Sequence, residues 1–230
     1  DPKTGRTQTV RDPAINSSAE LRAFLASNPS LAAERGQREA TLILKSAAVG
    51  MASILPIVDR PGRRVEIRLP DELQAEDIRH NDIVYIGPFV RLGPLAGHYL
   101  RHSRYRYDTA SGSLTDTVSQ KDFVPAGELA DQRTDYRIAA KFRGPTGNQI
   151  MVLAAMARNA GLLQIVKTLT STEGLDSFHD ALHANHDVPA DSFEALLVVT
   201  GFRRTDLGAE VIAVNPLPAR LQQADAAHTR

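Results

Sequence analysis

The stretch Asn148–Thr170, NQIMVLAAMARNAGLLQIVKTLT, constrains the fold of this chain more than any other. Gln149–Ala155 is a short apolar run carrying Ile150, Val152 and Leu153, enough for one buried strand. Apolar residues then recur at Leu162, Leu163, Ile165, Val166 and Leu169, the three-and-four spacing of an amphipathic helix. Between them, Ala154 to Gly161 are mostly small residues that let a backbone turn tightly from strand into helix. Such a turn aims the unpaired N–H groups of a helix N-terminus at the carboxyl end of a sheet, a place suited to an anion. The same residues also suit a plain structural β–α connection with no ligand.

The flanking sequence extends this unit into a layered domain. Glu39–Lys45 (EATLILK) predicts a strand, with a small-residue turn at Ser46–Gly50 and a helix to about Val58. Arg60-Pro61-Gly62 turns the chain, and Arg63–Leu69 alternates as a half-buried strand, so the three together predict a right-handed parallel β–α–β unit. A short acidic helix over Pro70–Ile78 leads to a third strand, Asp82–Gly87. Arg91–Arg101 has helical pattern interrupted by Gly93, Pro94 and Gly97, and Tyr105–Gly127 reads as a small hairpin or flap. Asp135–Arg143 alternates as a strand, and Gly144–Gly147 turns it into an antiparallel partner for Gln149–Ala155. After the helix at Leu162 comes a second over Glu173–Ala184. Phe193–Thr200 and Ala209–Val214, joined by Arg203–Gly208, form a terminal hairpin with the second strand outermost. The expected fold is α/β: a three-layer, Rossmann-like or periplasmic-binding-like mixed sheet with a C-terminal β-hairpin. It spans residues 39–218, after a linker with short helices at 1–38 and before a polar tail, 219–230, expected to be disordered.

Composition narrows the partners. The 27 basic residues balance 27 acidic ones, so no net field recruits nucleic acid or an anionic membrane. The absence of cysteine removes disulfides, thiolate metal ligands and cysteine nucleophiles together. No apolar run approaches the roughly 18–20 residues that cross a bilayer.

In an open α/β sheet ligands lie outside the carboxyl ends of parallel strands, where the loops Ser46–Gly50, Gly87–Arg91 and Met156–Gly161 are expected to converge. The ligand-binding candidates are Ser46, Gly87, Pro88, Arg91, Arg158, Asn159 and Gly161. Arg91 and Arg158 each follow a strand end and could hold a carboxylate or phosphate in two parallel hydrogen bonds; each also reads as a solvated loop arginine. Ser46 stands where some hydrolases place a nucleophile, but Lys45-Ser46-Ala47-Ala48 lacks the glycine-flanked elbow, so helix capping is the better reading. No catalytic residue is assigned. Neither a Gly-x-Gly-x-x-Gly turn nor a glycine-lysine phosphate loop is present, and no cofactor is expected. His98 and His102 stand four apart, as do His179 and His183, with Asp180, His186 and Asp187 alongside. That spacing allows a shared metal, yet His-Asp-Ala-Leu-His lacks the glutamate of a zinc hydrolase, and no metal is expected. Tyr99, Tyr105 and Tyr107 alternate with Arg101, Arg104 and Arg106, a pattern explained by a strand with its tyrosines packed inward.

Four blocks together resemble a known family. Asn81–Pro88 (NDIVYIGP), Asp135–Ala140 (DYRIAA), Gln149–Ala155 (QIMVLAA) and Phe193–Leu197 (FEALL), in this order and spacing, are similar to bacterial extracytoplasmic sensor-type domains related in outline to periplasmic-binding-protein lobes. Such domains follow a single membrane helix in regulators that can carry an N-terminal winged-helix domain. Where family members often have Gly-Thr or Gly-Ser after the strand, this chain has Ala155-Met156-Ala157. The resemblance implies a non-enzymatic sensing role on the periplasmic side, a missing N-terminal membrane helix, and a small ligand or a protein partner. A small hydrolase using Ser46 or a histidine is the first alternative. A protein–protein scaffold, with a homodimer formed through the hairpin's outer strand, is the second.

Overall fold

Strands that read as apolar on both faces lie inside the main sheet, and those with one wet face lie at its rim. β6 (Gln132–Arg143), β7 (Gln149–Ala155) and β8 (Phe193–Phe202) are almost wholly buried, whereas β9 (Thr205–Pro216) is mostly half-buried or exposed. The computed structural model describes residues 18–30, 45–127, 131–156, 161–184, 188–203 and 205–218. The chain divides into two units, Asp1–Ile43 and Leu44–Arg230. In the first, the helix α1 (Ser18–Ser27) is described; all that follows concerns the second.

The main sheet has six strands in the order β1-β7-β6-β8-β9, where β1 is Ile83–Pro88, and a short β5 (Ala126–Gly127) pairs with the start of β6. β1 and β7 are parallel, with Ile83 opposite Ile150 and Pro88 opposite Ala155. The other pairings are antiparallel: Arg143 faces Gln149 across the β6–β7 turn, and β8 runs beside β6 from Lys141↔Phe193 to Gln132↔Phe202. β8 and β9 make the C-terminal hairpin, with β9 outermost among the described strands. This is an α/β fold on a mixed sheet.

Each face of the sheet carries its own core. On one side lie α2 (Lys45–Val58), α5 (Leu162–Thr170) and α6 (Thr172–His183). Ile165, Val166, Phe178 and Leu182 from these helices pack on Leu153, Phe193 and Leu197. On the other side lie α3 (Ala75–His80), α4 (Leu95–Tyr99) and a three-stranded sheet of β2 (Tyr105–Tyr107), β3 (Leu114–Asp116) and β4 (Asp122–Phe123). There Ile78, Tyr99, Tyr105 and Leu114 cover Tyr85, Phe142 and Ile150. Each such side chain contributes about 1.5–3 kcal/mol by leaving water.

Several boundaries differ from the sequence reading. Lys45 opens α2 rather than closing a strand, and Glu39–Leu44 lies outside the described residues, as does the tail 219–230. Arg63–Leu69 is irregular and exposed, with Ile67 at 58%. Its alternation meets no facing apolar layer, and Arg68 instead pairs with Asp77 at 2.6 Å, tethering the segment to the start of α3. Arg63–Leu69 is therefore not a strand, the expected β–α–β unit with Glu39–Lys45 does not form, and the parallel pair of the sheet is β1 with β7. The helix expected over Arg91–Arg101 is confined to Leu95–Tyr99, preceded by a 3₁₀ turn at Phe89–Arg91. The expected flap is the three-stranded sheet, in which Tyr105 points inward and Arg106 outward. β9 begins at Thr205, so the hairpin turn is shorter than the expected Arg203–Gly208.

Candidate functional site

The carboxyl ends of β1 and β7 stand level, since Pro88 faces Ala155 and Gly87 faces Ala154. The N-terminal turn of α2 arrives at the same place, because Ala47 packs with Ala155 and Leu162. Ser46, Gly87, Pro88 and Gly161 are thus brought to one end of the sheet. Arg158 and Asn159 lie outside the described residues.

Local packing explains the two glycines there. The Tyr85 hydroxyl folds back and donates to the Pro88 carbonyl at 2.6 Å, and a Cβ on Gly87 would stand 2.6 Å from the Tyr85 hydroxyl oxygen. The absence of a side chain at Gly87 makes room for the Tyr85 ring and hydroxyl. Burial pushes the Tyr85 phenol up, opposed by the positive charge of Arg91. The Arg91 Nη2 atom is itself buried with no hydrogen-bond acceptor among the described residues. Gly161 begins α5 with φ +86°, a conformation that favours glycine, and a Cβ there would lie 3.1 Å from Arg137 Nε and Nη2.

Across the sheet at this end is a charge cluster that the sequence reading did not single out. Arg133, Asp135 and Arg137 follow one another along one face of β6, with exposures of 2%, 1% and 0%. Arg133 Nη2 donates to the Asp206 carboxylate, and its Nη1 donates to the carbonyls of Arg203 and Thr205, both at 3.3 Å. Asp135 Oδ2 lies 3.4 Å from Arg133 Nε and 3.8 Å from Arg137 Nη2, so it stands between the two guanidinium groups. Gly201, the β8 residue opposite Arg133, has no side chain because a Cβ would fall 1.6 Å from Arg133 Nη1. The second oxygen of Asp206 accepts the Gly161 N–H at 2.9 Å. The hairpin thereby supplies its own anion to the head of α5, where the sequence alone suggested a ligand. The available signal was charge at positions i, i+2 and i+4 of a strand that becomes apolar on both faces at Ile138–Ala140, with a glycine in the partner strand.

A second buried network lies between the main and small sheets. Glu194, fully buried, accepts from the Tyr99 hydroxyl, from Ser103 Oγ at 2.5 Å and from the Arg104 N–H at 2.9 Å. The Arg104 side chain continues to Asp116 at 2.6 Å and Asn215 at 2.9 Å, and Asn215 donates to the Tyr105 hydroxyl at 3.1 Å. Burial raises the Glu194 carboxyl and the Tyr99 phenol and pushes Tyr105 up to about 12, while Arg104 holds Asp116 well below the usual carboxylate range. Every acceptor in this set has a donor, and it joins β8, β9 and the small sheet as a strut.

Among the described residues no serine or threonine hydroxyl is hydrogen-bonded to a histidine, the arrangement a histidine-activated hydrolase needs. His179 and His183 stand on exposed α6 positions with Nε2 atoms 3.0 Å apart, while His186 and Asp187 lie outside the described residues. No group of three or more potential ligands is assembled among the described residues. Thermal melts of the protein with and without a chelator are expected to coincide; a lower Tm with chelator would mean that a metal contributes to folding. Comparison with protein-family models, with curated proteins and with solved structures gives no match for this chain.

Proposed function

We propose that this chain is a non-enzymatic sensing domain that holds a small anionic ligand at the carboxyl ends of β1 and β7. In this reading it belongs to a membrane-anchored bacterial regulator and faces the extracytoplasmic side. The observation that carries the binding role is Arg91, whose Nη2 is removed from water without an acceptor among the described residues, just past the end of β1. Such a group carries a penalty of about 1–3 kcal/mol that a carboxylate or phosphate oxygen would relieve. The convergence of Ser46 and Pro88 at that end supports a ligand seat beside Arg91. The buried Arg133–Asp135–Arg137 cluster lies at the same end of the sheet, with Arg137 opposite Ala155 across the β6–β7 pair.

Titration of the wild type against acetate, succinate, citrate and inorganic phosphate, followed by Tm and calorimetry, tests this reading. One of these anions is expected to bind, and Arg91→Ala is expected to weaken it by about 1.5–3 kcal/mol without unfolding the domain. Equal affinity in the wild type and the variant would remove Arg91 from the site.

A further inference from the structure

The segment Arg63–Leu69 has the pattern of a strand without the pairing of one. Glu66 and Arg68 point to the same side, since Arg68 Nε donates to Glu66 Oε1 at 2.9 Å, and the backbone at Leu69 is extended, with φ −81° and ψ 154°. Val65, Ile67 and Leu69 then share the opposite side, with Val65 38% and Ile67 58% exposed. From Arg64 to Arg68 no backbone N–H or carbonyl is hydrogen-bonded among the described residues; the bonds begin again at Leu69, whose N–H donates to Glu72 Oε2. Such a run offers its donors and acceptors to another extended chain. The outer strand β9 is a poorer template. Leu207 and Ile212 are extra residues against β8, and a bulge at each bends the edge.

The order of residues selects the partner. In an antiparallel pair, directly opposed residues share a face of the ribbon and interact. Pairing this segment with itself about a point between two residues sets Val65 or Ile67 against a charge. Centring it on Glu66 sets Glu66 against Glu66 and Arg64 against Arg68, and centring it on Val65 sets Ile67 against Arg63. Centred on Ile67, the match is complete from Val65 to Leu69: Ile67 meets Ile67, Val65 meets Leu69, and Glu66 meets Arg68 twice. The charges have atoms to spare for this. Glu66 Oε2 and Arg68 Nη2 make no hydrogen bond among the described residues, while Arg68 Nη1 stays anchored on Asp77 Oδ2 at 2.6 Å. We propose that the partner is a second copy of this chain, with two Arg63–Leu69 segments paired antiparallel about a two-fold axis through Ile67. Two short strands bury little surface, so the dimer is weak and follows concentration. The surface shares no residue with the strand-end seat, so either can fail alone.

The test is sedimentation velocity of the full chain across a concentration series that ends at its solubility limit. The wild type is expected to move from monomer towards dimer, and Ile67→Lys, at an exposed position, to stay monomeric with Tm unchanged. Two charge variants test the register. Glu66→Lys alone and Arg68→Glu alone each oppose like charges at both ion pairs, so each is expected to stay monomeric. Mixed in equal amounts, they oppose unlike charges at both, and the mixture is expected to associate roughly tenfold more tightly than either component. The proposal is overturned if the wild type is monomeric at every concentration, if Ile67→Lys associates as the wild type does, or if the mixture associates no more than its components. Should Arg68→Glu not fold, the wild type and Ile67→Lys decide between these outcomes.

Discussion

Glu194→Ala is expected to lower the unfolding free energy by about 2–5 kcal/mol, because two donors lose their only acceptor and each stranded group costs about 1–3 kcal/mol. The stranded donors are the Tyr99 hydroxyl and the Arg104 N–H, whereas the Ser103 hydroxyl keeps a second acceptor in the Tyr105 carbonyl at 3.1 Å. Urea unfolding followed by circular dichroism measures the loss; a change below about 1 kcal/mol would show that the strut does not carry the small sheet. The same carboxyl gives a pH signature. Burial raises its folded value, so the folded protein keeps a proton that the unfolded chain has already released. This contribution is complete below the ordinary carboxyl range and is lost as pH rises through the raised value. Asp116 acts in the opposite sense: its depressed value adds stability above the ordinary range, lost only as pH falls far below it. Glu194→Gln is expected to flatten the first of these slopes and leave the second.

Gly201→Ala is expected to cost about 3–5 kcal/mol, the scale of breaking a buried ion pair, although it adds a single methyl group. The Cβ would overlap the Arg133 guanidinium, and moving that group breaks its bonds to Asp206 and to the carbonyls of Arg203 and Thr205. A double-mutant cycle isolates the cause. With Arg133→Ala already in place the methyl group has room, so the second substitution should add little, and the two effects should fall well short of their sum. Full additivity would mean that Gly201 is required for its backbone rather than for the space above it.

The strand Gln149–Ala155, the helix beginning at Leu162 and the Gly144–Gly147 turn were legible in the sequence because each is a local pattern of period and turn chemistry. The interior position of β8 was legible for the same reason: apolar residues on both faces require cover on both. Arg63–Leu69 shows where such patterns mislead. It alternates as a strand should, but a strand forms only where the rest of the fold sets a partner beside it, and this segment runs exposed over the surface, held by Arg68 to Asp77. The candidate site divides along the same line. Small residues at strand ends announced Ser46, Gly87 and Gly161, since a tight turn is a local property of the backbone. Arg133, Asp135, Arg137 and Asp206 each look like ordinary surface charges in one dimension. They become a buried cluster only when β8 lays Gly201 over Arg133 and β9 carries Asp206 to the head of α5. By itself the sequence determined which segments form the central strands and helices, because periodicity and turn preference act within a few residues. The tertiary structure alone decided which charges are buried together, because burial depends on what distant strands place on the other side.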